Sequence, residues 1–128
     1  MQAQPHEPAR DVTGLKVFVV EDESLVAMQL EDMLFDLGCD VVGLAMRLKR
    51  AHEMLDSGLA IDVAILDVNI GGEKIYPVAV RLRDLGVPMV FATGYGREGL
   101  EDDWQACPVL QKPYSASQIE HSLLGLID

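Results

Sequence analysis

The chain has 128 residues, 49% of them hydrophobic, which suits one domain able to bury a sizeable core. Its formal net charge is −11, and its one dense basic cluster, Arg47, Lys49 and Arg50, sits among acidic residues, which argues against nucleic-acid binding. No apolar stretch approaches the length of a membrane span, so the sequence predicts a soluble, cytoplasmic protein with no membrane association.

Residues 1–14 (MQAQPHEPARDVTG) are polar, hold two prolines and show no periodicity. They predict a disordered N-terminal tail, without the apolar stretch of a signal peptide, ahead of a single domain over 15–128. Leu15–Val20 predicts the first strand and runs into Glu21 and Asp22. From Ser24 to Leu37, Val26, Leu30, Met33, Leu34 and Leu37 fall at helical spacing, and Gly38 stands at the helix stop. Asp40–Leu44 is a weaker strand. Leu48, Ala51 and Leu55 mark a second helix, ended by Ser57–Gly58.

Ile61–Leu66 predicts a third strand that runs into Asp67, followed by a loop over Asn69–Glu73 with Gly71 and Gly72. Ile75–Leu85 is a third helix with Pro77 in its first turn. Met89–Ala92 is a fourth strand that runs into Thr93. Between Gly94 and Pro108, three glycines and the acids Glu101, Asp102 and Asp103 allow only a short or poorly formed helix, over Gly99–Gln105. Val109–Gln111 is the last strand and leads to Lys112 and Pro113. Ser115 and Gln118 have the spacing of a capping box for a final helix with Ile119, Leu123 and Leu126 on its buried stripe.

Unbroken apolar strands alternating with helices predict an α/β fold, a doubly wound five-stranded parallel sheet with helices on both faces. The flavodoxin-like order 2-1-3-4-5 places the first and third strands together at the switch point, where ligands bind. Glu21, Asp22 and Asp67 would meet there, with Thr93 and Lys112 at the neighbouring strand ends. Three carboxylates in one place repel one another, and a divalent cation relieves that. An all-oxygen set without His or Cys suits Mg²⁺, to which the loop can add the Asn69 backbone carbonyl. Asp67, alone after VAIL, is the candidate nucleophile toward a phosphoryl group. Lys112 and the Thr93 hydroxyl would pair with phosphoryl oxygens, and Gly94 leaves room for the group.

The segments VFVVEDE (17–23), AILDVNI (64–70), VFATG (90–94) and QKPY (111–114) resemble the receiver domain of two-component response regulators, in order and each at a strand end. The resemblance covers roughly residues 15–128. It implies a phosphoacceptor at Asp67 and a switch hydroxyl at Thr93, with Lys112 pairing to phosphate. It also implies Mg²⁺ ligation by Asp22, Asp67 and the Asn69 carbonyl, with Glu21 acting through water. The Lys112–Pro113 bond is often cis in this family. The implied partners are a histidine kinase or phosphotransfer protein and an unknown downstream protein.

Most receivers carry an aromatic three positions before the lysine, where this chain has Val109. FATGYG (91–96) after PMV is similar to the subfamily named for a Phe-Ala-Thr-Gly-x-Tyr motif, whose members lack that aromatic and have a poorly ordered fourth helix. The expected consequence is that phosphorylation orders residues 94–108. The switch or partner face is then Gly94, Tyr95, Val109 and Tyr114, although Tyr95 and Tyr114 read equally well as padding of the sheet edge. Trp104 reads as a loop anchor, His6, His52 and His121 as surface residues, and Cys39 and Cys107 as reduced thiols near strand starts.

The expected function is a stand-alone phosphoacceptor in two-component phosphorelay, not an enzyme beyond its own phosphorylation and dephosphorylation. Its output would be protein–protein interaction or phosphate relay. One alternative is a Mg²⁺-dependent phosphatase with an aspartate nucleophile, which needs a general acid where Asn69 stands. Another is a flavin carrier, which needs a phosphate loop where EDESLV stands. A third is a pseudo-receiver scaffold that is never phosphorylated.

Overall fold

A computed structural model of the protein describes residues 11–127. In chain order the elements are β1 (Lys16–Val20), α1 (Ser24–Asp36), β2 (Asp40–Ala45), α2 (Leu48–Asp56) and β3 (Val63–Asp67). Then come β4 (Asn69–Ile70), β5 (Glu73–Lys74), α3 (Tyr76–Asp84), β6 (Met89–Thr93), β7 (Val109–Gln111) and α4 (Ala116–Ile127). The five-stranded sheet is parallel in the order β2-β1-β3-β6-β7, which is the expected 2-1-3-4-5. β4 and β5 form a separate antiparallel pair.

Each central strand is apolar between its ends because its alternate residues go to opposite faces and both faces are covered. Phe18, Val20, Ala64, Leu66, Met89 and Phe91 join the layer beneath α2 and α3. Val17, Val19, Val63, Ile65, Val90 and Ala92 join the layer beneath α1 and α4. α1 contributes Leu30 and Leu34 to that second layer, and α4 contributes Ile119 and Leu123. The α4 start is a reciprocal capping box: Ser115 N–H donates to Gln118 Oε1 at 2.8 Å, and Gln118 N–H to Ser115 Oγ at 3.2 Å.

Four expectations need correction. The tail expected over 1–14 lies outside the described residues up to 10, but residues 11–14 belong to the fold. Val12 is buried with Leu34 and Cys39, and Gly14 N–H donates to Gly38 O at 2.7 Å. The apolar side chain at 12 gains more from burial than a free end would. The loop expected over Asn69–Glu73 is the β4–β5 hairpin, turned by Gly71 (φ +59°) and Gly72 (φ +86°). Positive φ at both central residues suits a tight hairpin, and only glycine adopts it without strain. The short or poorly formed helix expected over Gly99–Gln105 is no α-helix but two 3₁₀ turns with other bounds, Gly96–Gly99 and Asp102–Trp104. Glycine costs an α-helix about 1 kcal/mol relative to alanine, and three of them precede the acidic cluster. Finally, His52 is half-buried between α2 and α3, where Arg81 Nη1 stands 3.1 Å from its Nδ1.

Candidate functional site

The registers carry four side chains to one edge of the sheet. Val20 pairs with Leu66, so Glu21 follows β1 level with Asp67, the last residue of β3. Asp67 pairs with Ala92, which puts Thr93 one step further along β6. Thr93 pairs with Gln111, so Lys112 leaves β7 beside it, and Lys112 N–H donates to Thr93 O at 2.9 Å. Carboxylate oxygens of Glu21, Asp22 and Asp67 all lie within 4.8 Å of one another. The expected cluster is therefore assembled, and register alone places most of it.

Its members are not equivalent. The Glu21 side chain is buried at 3% exposure and forms the floor. Lys112 Nζ reaches down to Glu21 Oε1 at 2.9 Å and across to Asp67 Oδ2 at 3.2 Å. Glu23 N–H donates to the other Glu21 oxygen at 3.1 Å. Asp22 is half-buried beside the opening, and one of its oxygens takes the Gly71 N–H at 2.8 Å. Above them lies an open cavity of about 540 Å³, lined by Asp22, Asp67, Asn69, Thr93, Tyr95 and Lys112.

Burial raises the Glu21 pKa against the opposing pull of the Lys112 bond and the Glu23 N–H, and the Asp67 charge adds to the rise. Burial alone would lower the Lys112 pKa, but the bond to Glu21 and the charge of Asp67 more than offset it. Lys112 therefore stays charged between two acids, where a compact ammonium can also meet an incoming oxyanion. The donor set is all oxygen, with no His or Cys in the cluster, and this fits a hard cation of the Mg²⁺ type.

The four residues expected on a switch or partner face do not stay together. Gly94 and Tyr95 are exposed beside the cavity, Tyr95 at 76%. Val109 packs against the α2/α3 layer. Tyr114 packs into the opposite layer. Among the described residues its hydroxyl is sealed without a hydrogen-bond partner, and burial, helped by the Glu21 charge, pushes its pKa up to about 12. The Lys112–Pro113 bond is cis. Cys39 is buried and Cys107 half-buried, both as free thiols close to strand starts.

Several contributors escape the sequence. The Gly71 N–H on Asp22 comes from the hairpin, whose only sequence signal is the Gly-Gly pair. Lys74 Nζ holds Asn69 Oδ1 at 2.8 Å, so the Asn69 side chain is tied along the hairpin. Trp104 is the loop anchor expected, 5% exposed, but the ring it stacks on, Tyr76, and the bonds that fasten the 94–108 segment around it have no sequence signal. Arg97 donates to the carbonyls of Gln105 and Cys107, and the Gln105 amide donates back to the carbonyls of Arg97 and Leu100.

No family model matches the chain. The solution structure of SdrG from Sphingomonas melonis Fr1 is 40% identical, with a TM-score of 0.79 over 90% of this chain and 98% of that one. The BeF3-activated conformation of SdrG from Pseudomonas melonis Fr1 matches at 40% identity and a TM-score of 0.76, over 88% and 96% of the two chains. The receiver (REC) domain of the PhyR response regulator from Erythrobacter litoralis is 25% identical, with a TM-score of 0.78 over 90% and 91%. Phyllosphere-induced regulator PhyR of Methylorubrum extorquens is 27% identical over 110 residues, 81% of this chain and 40% of that protein. The chain spans less than half the length of the curated relatives it matches. Fold, site and likeness agree on a signalling domain with an acidic, phosphate-compatible corner. This chain belongs to the receiver domains of response regulators. Such domains bind Mg²⁺ at an acidic pocket and interact with histidine kinases or phosphotransfer proteins; the acidic cluster here is Glu21, Asp22 and Asp67.

Proposed function

We propose that this receiver accepts a phosphoryl group on Asp67 from a phosphohistidine of a histidine kinase or phosphotransfer protein, in two-component phosphorelay signalling. The observation that carries this reading is Lys112 Nζ set 3.2 Å from Asp67 Oδ2 at the base of an open cavity that Thr93 also lines. In the transfer, an Asp67 oxygen bonds to phosphorus as the P–N bond breaks, and the imidazole departs with the electron pair. Lys112 neutralises charge on one phosphoryl oxygen, the Thr93 hydroxyl donates to another, and bare Gly94 leaves space. Asp22, Asp67 and the Asn69 carbonyl would hold Mg²⁺ with Glu21 beneath them, and the ion when bound neutralises charge on the phosphoryl oxygens.

The phosphoryl donor would dock on α1, where Leu25 (66% exposed), Met28 (60%) and Phe35 (79%) are large apolar groups facing outward. The helix start adjoins the cavity, and Phe35 lies about 15 Å further along the axis. Output would pass to another protein through the face that carries Gly94 and Tyr95, or by onward phosphate relay. An acidic chain is ill suited to a nucleic-acid backbone. We further assign the chain to the subfamily of the Phe-Ala-Thr-Gly-x-Tyr motif on FATGYG, which departs from that motif in that Tyr95 follows Gly94 directly. The proposed location is the cytoplasm, where free thiols such as Cys39 and Cys107 persist. Against a phosphatase, Asn69 is no proton donor of the kind such enzymes place there.

The test is intact mass at acidic pH after incubation with Mg²⁺ and a small acyl-phosphate donor. One phosphoryl adduct on the wild type, absent from Asp67→Asn, is the expected result. Phosphate released catalytically without an adduct would point to the phosphatase. Neither adduct nor turnover would overturn phosphoryl capture in favour of a scaffold.

A further inference from the structure

Thr93 is 4% exposed, and the segment that follows encloses its hydroxyl. Tyr95 N–H donates to Thr93 Oγ1 at 3.0 Å. Gly99 lies against the same oxygen: a Cβ at position 99 would stand 2.6 Å from Oγ1 and 3.3 Å from Tyr95 Cβ. Glycine is required there by close approach, and any side chain would displace Thr93 or lift the segment.

Five residues later, Trp104 pins the segment to the body of the domain. Its ring stacks on Tyr76 (centroids 5.8 Å apart, 20° between planes) and meets Phe91 edge-on (5.7 Å, 72°). The Arg83 guanidinium lies 4.8 Å from the ring centroid. Between the two fastenings, Leu100 is buried and Glu101 N–H donates to the Tyr76 hydroxyl at 2.9 Å. Tyr76 and Arg83 come from α3, and Phe91 stands on β6 two residues before Thr93. The same strand thus carries the anchor for Trp104 and the hydroxyl beneath Gly99.

We propose that Trp104 restrains phosphoryl capture: pinned to α3 and β6, it seats Gly99 on the Thr93 hydroxyl, so that capture at Asp67 loosens this seat. The proposal rests on the reading of Asp67 as the phosphoacceptor. In the seat, Thr93 Oγ1 is confined between the Tyr95 N–H and the Gly99 backbone. A phosphoryl group draws the hydroxyl with a charge-assisted bond, roughly twice as strong as a neutral one. Coupling of this kind is reciprocal. What loosens the seat strengthens capture, and capture changes the surroundings of Trp104, the reverse of the ordering of residues 94–108 expected from the sequence, because the segment is already fastened. Trp104 is the only tryptophan of the chain, so its emission reports on this segment alone.

The experiment titrates the full chain with beryllofluoride in the presence of Mg²⁺, with affinity read by calorimetry and the segment by Trp104 emission. The wild type is expected to bind with a change in emission. Gly99→Ala, whose methyl group cannot coexist with the seated hydroxyl, is expected to bind the probe roughly fivefold tighter or more. That gain should vanish in a Thr93→Ala background, where the displaced oxygen no longer exists, a dependence that general loosening of the fold would not produce. Trp104→Phe keeps an aromatic ring in the pocket while thinning the pin, and should give a smaller gain with the same dependence on Thr93. It carries the test if Gly99→Ala does not fold. Unchanged or weaker binding by these variants, or a gain that persists without Thr93, overturns the proposal. Binding by the wild type with silent emission and indifferent variants overturns the seat alone. Absence of binding by the wild type overturns phosphoryl capture and the seat with it.

Discussion

Asp67 and its neighbours are placed by strand ends in hydrogen-bonded register, whereas residues 94–108 are placed by one aromatic ring and a few side-chain bonds. The two regions meet at Thr93. On the Asp67 side, moving one side chain means moving a strand of a sheet covered on both faces. Beyond Thr93, the segment has two short 3₁₀ turns, no α-helix, and fastenings at Gly99, Glu101 and Trp104. Local opening takes place where buried apolar contacts are few and backbone bonds are exposed. A receiver built in this way holds its acidic cluster on the sheet and leaves the segment beyond Thr93 less firmly held.

Phe91 is the residue that joins the regions, and its removal should break the distinction altogether. It is fully buried on β6 and touches the edge of Trp104. Phe91→Ala is expected to cost about 3–5 kcal/mol in urea unfolding, with the native emission of Trp104 lost at the same time. A loss under 1 kcal/mol would show that Trp104 is not held by the sheet.

Tyr76→Phe is a narrower cut. The ring stays to stack on Trp104, and the acceptor for Glu101 N–H disappears. The expected cost is about 1 kcal/mol, with faster amide exchange confined to the neighbourhood of Glu101. Protection lost equally at Val19 or Ile65 would mean that segment and sheet open as one unit.

The smallest effect is expected on the Asp67 side. Tyr114→Phe removes a sealed hydroxyl that has no partner among the described residues, so stability near neutral pH should change by less than about 1 kcal/mol. Its signature is in the alkaline limb. Burial raises the Tyr114 pKa from 10.0 to about 12 in the folded state. The folded form therefore holds the phenol proton longer than the unfolded chain. The stability this supplies is fully present below pH 10 and is lost as pH rises toward 12. Urea midpoints measured from pH 9 to 12 should fall more steeply for the wild type than for Tyr114→Phe. Parallel curves would place the hydroxyl in contact with solvent.

Much of this domain is legible in its sequence, for a physical reason. A parallel strand buried on both faces must be apolar along its length, so the runs ending at Val20, Leu66, Ala92 and Leu110 announce themselves. The residue that follows each run, or for the last run the one beyond Gln111, then stands at the sheet edge by geometry. Glu21, Asp67, Thr93 and Lys112 were legible on this ground, as were the Ser115–Gln118 cap and the turn at Gly71–Gly72, though not the hairpin around it.

What the tertiary structure decided is which groups share a charge, a bond or a van der Waals surface across long stretches of chain. Lys112 reaches Glu21 91 positions away, and the Gly71 N–H reaches Asp22 49 positions away. Gly99 resembles a flexible glycine until Thr93 is placed beneath it, and Trp104, an anchor by sequence, gains its partners only where Tyr76, Arg83 and Phe91 surround it. Periodicity records which face a residue buries, because burial acts on each residue singly. It carries no record of partners, because pairing depends on where two distant segments come to rest.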